Sequence, residues 1–326
     1  MSLEPVLQVI PPRLRELLGA MSPSDAAGLE EIRIRQGRPM EVIVGGETRF
    51  VTDEPGWSNV PEKAVIASKE DCVRMLNRVS AYSLYALEEE LRKGYVTVPG
   101  GHRIGLAGRV VVEGGKVRHL REITSFNVRI AREVHGAADR LLKVVMPGRE
   151  LLSTLIVSPP QCGKTTLIRD LARMASRGGP GRPSRKVGIV DERSEIAGSF
   201  QGVPTFDVGP RTDVLDGCPK AEGMMMMIRS MSPEVLVVDE LGGPEDCLAV
   251  REAVHAGVKL FVTAHGGSLE EIRGRPGLKE LVEQKVFDRV VVLSRRHGPG
   301  TVESVHDKNL RPILTSANLR TGKSKR

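Results

Sequence analysis

The sequence predicts an α/β protein: a mostly parallel sheet covered by helices, preceded by a smaller α+β domain. Three observations lead there. In the second half, five short apolar runs alternate with helical stretches. In the first half, apolar and polar residues alternate within short segments punctuated by Gly and Pro. The length of 326 residues matches two domains of roughly 150 residues each.

Composition narrows the class. Hydrophobic residues make up 40% and charged residues 27%, too apolar for a disordered chain and too polar for an integral membrane protein. The 48 Lys+Arg exceed the 41 Asp+Glu, for a formal charge of +7, densest in Thr321–Arg326 and Arg173–Lys186. Six Phe, three Tyr and one Trp are few for a binder that stacks bases on aromatic platforms. Cys72, Cys162, Cys218 and Cys247 are far apart, which suggests neither a disulfide framework nor a structural zinc site. Met1 to Gly19 lacks a basic-then-apolar signal pattern. A cytoplasmic protein is expected.

The elements follow in order. Pro12–Leu18 reads as an amphipathic helix. Glu31–Arg35 and Met40–Val44 read as paired strands, with Gly45-Gly46 turning into Thr48–Thr52. Lys69–Val79 and Tyr82–Arg92 place apolar residues three and four apart, as helices do. Gly94–Val98 and Arg103–Val112 alternate like a hairpin closed at Pro99-Gly100-Gly101, and Thr124–Arg132 gives one more strand. From Gly136 the strands become continuous apolar runs: Leu155–Val157, Val187–Val190, Val235–Val238, Leu260–Thr263 and Val290–Leu293. Such runs are buried on both faces, as in a parallel sheet between helices. Pro244–His255 has Pro in its first turn and Gly257 past its end, the usual helix asymmetry. Ser176–Arg185 reads as a mobile loop. The expected domains are 1–135 and 136–314, with a disordered basic tail at 315–326.

The chemistry concentrates in the second domain. Ser158-Pro159-Pro160-Gln161-Cys162-Gly163-Lys164-Thr165-Thr166 follows a β-branched run and precedes a helix. It resembles a P-loop, G-x-x-x-x-G-K-[ST], with Ser158 in place of the first Gly. Backbone N–H groups of such a loop surround a phosphate at a helix N-terminus. Gly163 allows close approach, Lys164 reaches the β- and γ-phosphates, and the Thr165 hydroxyl ligates Mg²⁺. If position 158 requires positive φ, Ser there costs about 1 kcal/mol.

Val235–Val238 ends in Asp239-Glu240, the Walker B arrangement, with Asp239 on the Mg²⁺ shell and Glu240 polarising the attacking water. Val187–Val190 runs into Asp191-Glu192, and Leu260–Thr263 into Ala264-His265. Ligands of open parallel sheets lie beyond the carboxyl ends of the strands, so Glu192 and His265 join the candidates. His265 could sense the γ-phosphate or hold the water, which Glu192 could order. The run Gly223–Met231, with five methionines, is expected in a core helix or an adaptable interface.

Together these residues resemble the stage III sporulation protein AA family, related to the ATPases that power type II secretion, type IV pili and type IV secretion. The most specific stretch is Phe206-Asp207-Val208-Gly209-Pro210-Arg211-Thr212-Asp213 through Lys220, followed by the Met-rich helix and Ser232-Pro233-Glu234. Val190–Ile196 is similar to that group's acidic box and Thr263–His265 to its histidine box. The resemblance implies a RecA-like P-loop NTPase core using ATP and Mg²⁺ in a ring homo-oligomer, usually a hexamer. It also implies an integral membrane protein of the sporulation channel as partner, which would place the chain peripherally at the inner face of the membrane. Nucleic acid is not expected. N-domain arginines of secretion ATPases approach the phosphates; Arg121, Arg129 and Arg132 are the candidates here. Two competing expectations are a nucleic-acid-dependent RecA-like ATPase and a nucleotide-gated assembly scaffold with little hydrolysis. Ser158 is the scaffold's only support.

Overall fold

A computed structural model describes residues 3–19, 21–54, 56–80 and 94–315. The chain divides into two compact units, Met1–Arg132 and Glu133–Arg326. The helix expected at Tyr82–Arg92 and the tail beyond Thr315 lie outside the described residues.

The first unit is built on an antiparallel sheet, β4-β3-β2-β1-β7-β6-β5. Its strands are β1 Leu29–Arg35, β2 Glu41–Val44, β3 Glu47–Val51, β4 Trp57–Ser58, β5 Tyr95–Val98, β6 His102–Glu113 and β7 Lys116–Arg129. Helices α1 Glu4–Val9, α2 Pro12–Leu18, α3 Pro23–Gly28 and α4 Lys69–Ser80 complete it. The α2 boundaries match the sequence reading because Pro12 pre-sets the first turn and the Gly19 N–H caps the last. Ser68 and Asp71 cap α4 reciprocally: the Asp71 N–H donates to the Ser68 hydroxyl, and the Ser68 N–H to the Asp71 carboxylate. Alternation in β1 turns Ile32 and Ile34 into a core with Val42, Met75, Ile104, Phe126 and Val128. β7 begins eight residues before the expected Thr124. Its first half pairs only with the end of β6 in a ribbon whose residues are mostly exposed, so no buried face imposes a readable alternation.

The second unit is an eight-stranded sheet, β10-β9-β11-β12-β8-β13-β14-β15. The strands are β8 Thr154–Ser158, β9 Val187–Asp191, β10 Thr212–Asp216, β11 Val235–Val238, β12 Lys259–His265, β13 Arg289–Ser294, β14 Thr301–Asp307 and β15 Pro312–Thr315. β10 through β13 pair in parallel, and β14 and β15 add an antiparallel edge. Every residue of β8, β9 and β11 is buried. The cause is two cores. Ile156 and Val237 face a cluster holding Leu167, Ile168 and Leu171, whereas Leu155, Val157, Leu236 and Val238 face one holding Met224, Met227, Val250 and Leu281. The helices bearing these residues are α6 Lys164–Arg177, α7 Lys220–Met231, α8 Pro244–His255 and α10 Pro276–Glu283; short α5 Leu142–Val145 and α9 Leu269–Arg273 fill in. The Met-rich α7 is half core: Met224 and Met227 are buried and Met226 and Met231 exposed.

The segment expected to be a mobile loop, Ser176–Arg185, folds back on itself. Gly179 and Arg182 exchange backbone hydrogen bonds, and the Arg185 N–H returns to the Ala175 carbonyl. Gly178, at φ +69°, allows this: a Cβ there would lie 2.7 Å from the Ser184 nitrogen. Glycine here serves closure as much as freedom.

Two buried charges fix the chain beyond β9. Asp191 accepts the N–H groups of Glu195 (2.8 Å), Ile196 (2.9 Å) and Ala197 (2.8 Å). Arg169, on α6, donates to the carbonyls of Glu195 (2.6 Å) and Ile196. Its guanidinium also lies 4.1 Å from the centre of the Phe206 ring, a cation–π contact. Two successive peptide groups are thus held by an anion on one side and a cation on the other, without a direct ion pair. Burial pushes the Asp191 carboxyl up to about 6 against those hydrogen bonds, and burial also lowers the Arg169 pKa.

An unfolded Asp titrates near 3.9, so the folded chain favours the protonated carboxyl. That stabilisation is full below pH 4 and is lost as the pH rises through 6. The stability of an Asp191→Asn variant relative to the native chain should therefore rise across pH 4 to 6.5, by about 3 kcal/mol. Denaturant melts of both proteins across that range check this; a pH-independent difference would contradict it.

Candidate active site

Parallel strands present their carboxyl ends together, and here those ends are in register. Ser158 of β8 pairs with His265 of β12, and Val238 of β11 with Val262, so Asp239 and Thr263 sit side by side one step later. β9 closes the row with Asp191, followed by Glu192. The loop, the two acidic pairs and the histidine expected at one edge are at one edge.

Between β8 and α6, Ser158 is buried and donates its hydroxyl hydrogen to the Pro159 carbonyl at 2.8 Å. Ser158 is not among the residues with positive φ. The cost considered for serine at this position does not arise: it ends a strand, and the left-handed turns fall on Gln161 (φ +58°) and Gly163 (φ +82°). Pro159, Pro160 and Gln161 are exposed, Cys162 is buried with its thiol toward the Pro160 carbonyl, and Thr166 is half-buried in the first turn of α6.

Lys164 is buried, and its ammonium donates to the carbonyls of Ser158 and Pro159, both at 3.3 Å, and meets His265 Nδ1 at 3.1 Å. Burial lowers its pKa, and the charges of Asp239 and Glu240 oppose that shift. His265 Nε2 lies 2.6 Å from Glu240 Oε1. With Nε2 carrying the hydrogen for the carboxylate, Nδ1 is left as an acceptor for the ammonium. The imidazole therefore spans Lys164 and Glu240, and the residue assigned two alternative roles touches both chemical partners.

The Thr165 hydroxyl donates to Asp239 Oδ2 at 2.6 Å, and the Thr263 hydroxyl donates to Asp239 Oδ1. The same Thr263 oxygen accepts the Glu240 N–H at 2.8 Å. Burial raises the Asp239 pKa against the two hydroxyl hydrogen bonds. Glu240 adopts φ +57°, a conformation that costs an L-residue about 1–2 kcal/mol. Thr263 and His265 hold it there, and Arg193 pairs with its second oxygen at 3.0 Å. Glu192 pairs with Lys220 in a small cleft that Asp239 and Glu240 also line.

Of the sequence candidates, Lys164, Thr165, Asp239, Glu240 and His265 form one connected network, with Glu192 on the neighbouring strand end. Arg129 and Arg132 belong to the first unit: Arg129 ends β7, and Arg132 donates to the Leu29 carbonyl at 2.8 Å. Sequence reasoning passed over Thr263 and Arg193 as site residues. A hydroxyl at the end of an otherwise apolar run was the available signal for Thr263; Arg193, in an acidic turn, gave none.

The family model described as Sporulation stage III, protein AA, matches residues 2–312. Stage III sporulation protein AA of Bacillus subtilis (strain 168) is 48% identical over 316 residues, spanning 97% of this chain and 99% of that protein. Among solved structures, the pilus retraction motor PilT with bound ADP superposes with a TM-score of 0.59 at 14% identity, covering 98% of this chain and 87% of that one. The Legionella pneumophila ATPase DotB does so with 0.55 at 15%, covering 86% and 77%. The fold is thus that of RecA-like secretion ATPases, and the chain belongs to the Sporulation stage III, protein AA family.

Proposed function

We propose that the chain is a Mg²⁺-dependent ATPase that powers a membrane-associated secretion or channel apparatus during sporulation. One observation supports this above the others: Lys164, the Thr165–Asp239 pair and the Glu240–His265 pair form a single network at adjacent parallel strand ends. In this reading residues 158–166 receive the phosphates, Lys164 exchanges its loop carbonyls for phosphate oxygens, and Glu240 orients the attacking water under the control of His265. Catalysis is then mostly positioning and electrostatic stabilisation.

The donor set fits Mg²⁺. Thr165 and Asp239 converge two hard oxygen donors at 2.6 Å, and Mg²⁺ prefers oxygen ligands shared with phosphates and water. Among the described residues no group of three or more His, Cys, Asp or Glu is arranged to hold a metal, so phosphate and water would complete its shell. When bound, the ion neutralises charge on the phosphate oxygens.

Assembly extends the reading. A ring homo-oligomer, six subunits by the habit of secretion ATPases, would bring Arg129 or Arg132 toward phosphate, and an integral membrane protein of the sporulation channel would dock the ring at the inner face of the membrane. No helix among the described residues is long and apolar enough to cross a membrane, which is compatible with attachment through a partner. Ser158, on which the scaffold alternative rests, adopts ordinary strand geometry.

Glu240→Gln should keep ATP bound while turnover falls at least about 10²-fold; equilibrium binding beside a phosphate-release assay checks both, and unchanged turnover would sink the assignment. Thr165→Val should raise the Mg²⁺ concentration needed for half-maximal rate several-fold. A Mg²⁺ titration identical to that of the native chain would remove Thr165 from the metal site.

A further inference from the structure

Glu240, read above as the group that orients the attacking water, offers two carboxylate oxygens for that task. Oε1 lies 2.6 Å from His265 Nε2, and Oε2 accepts from Arg193 Nη1 at 3.0 Å. Both oxygens are engaged before any water arrives. A charge-assisted hydrogen bond is about twice as strong as a neutral one, so water competes poorly for an oxygen that carries one.

The two partners of Glu240 differ in how firmly they are placed. His265 ends β12, and its other ring nitrogen is 3.1 Å from the Lys164 ammonium, so the imidazole is held from two sides. Arg193 stands on the turn after β9, with a side chain that is 62% exposed. The chain on either side of it is fixed. Glu192 pairs with Lys220 on α7, and Asp191 accepts the N–H groups of Glu195, Ile196 and Ala197. The Arg193 side chain can therefore swing from Glu240 into solvent by rotation about its own χ angles, leaving the strand end in place.

Five carboxylates, Glu240 among them, line the small cleft here, and its two cations are divided: Lys220 to Glu192 and Arg193 to Glu240. An exposed ion pair of this kind holds weakly, because water and salt compete for both charges. We propose that the Arg193–Glu240 pair restrains hydrolysis: it occupies the oxygen that Glu240 would turn to the attacking water, and it must open in each turnover. Arg193 is thus a positioning residue that acts on the water only through Glu240. The proposal deepens the ATPase reading and rests on it.

The test measures phosphate release at varied MgATP for the full native chain, Arg193→Ala and Arg193→Lys, each beside its Lys164→Ala counterpart. The kcat of Arg193→Ala should rise about two- to fivefold, the scale of one exposed ion pair, with KM unchanged. A gain of rate is not a result that misfolding can give. Arg193→Lys, which keeps the charge without the planar fork, should fall between the two. Raising the ionic strength should narrow the gap between native and Arg193→Ala, because salt screens the pair in the native chain alone. Combining Arg193→Ala with Glu240→Gln should return the rate to that of Glu240→Gln by itself. A Lys164-dependent rate that Arg193→Ala leaves unchanged or lowers overturns the proposal while the ATPase reading stands. A gain that salt does not narrow, or that persists without the Glu240 carboxylate, overturns it too. A native chain with no Lys164-dependent release overturns the ATPase reading, and the proposal with it.

Discussion

The register of β8 against β12, and of β12 against β11, is the constraint on which the site depends. Ser158 opposite His265 and Val238 opposite Val262 bring the start of the loop, the histidine and the acidic pair to one level of the sheet. A one-residue slip would turn each strand's side chains to the opposite face, exchanging the residues of the two cores and separating Thr263 from Asp239. The packing of Ile156 on one side and of Leu155 and Val157 on the other therefore fixes more than stability. The hydrophobic layers set the geometry of the polar edge.

At that edge, charge is handled by sharing. Thr263 is a single hydroxyl that gives its hydrogen to Asp239 and takes one from the Glu240 backbone. His265 stands between an ammonium and a carboxylate. Deeper in, Asp191 and Arg169 divide two peptide groups between them. Each arrangement leaves a buried polar atom with a partner, which avoids the cost of an orphaned one. Each also ties together segments distant in sequence, so α6, β9, β11 and β12 form one unit around the loop. The strained backbone at Glu240 persists because three side chains hold it in place.

Much of this was legible in the residues. Runs such as Val235–Val238 announced strands buried on both faces, and the strand-loop-helix setting of Gly163-Lys164-Thr165 announced the loop. Proline and glycine placed the ends of Pro244–His255. What escaped reading shares a physical cause. β10, β15 and the first half of β7 lie at an edge or in a two-stranded ribbon, where one-sided or exposed pairing leaves no apolar period. Ser176–Arg185 read as a mobile loop because its closure comes from backbone hydrogen bonds, which composition does not encode. The roles of Arg169 and Arg193 depend on partners 20 or more residues away, and no local pattern records them.

Whether the network around Lys164 hydrolyses ATP, as proposed, is read from the rate of Mg²⁺-dependent phosphate release per subunit. It should be followed against protein concentration for the native chain and for Lys164→Ala. The rate should depend on Lys164 and climb per subunit as concentration rises, as hydrolysis completed by a neighbouring subunit requires. A native rate no greater than that of Lys164→Ala, with ATP demonstrably bound, would contradict the proposal.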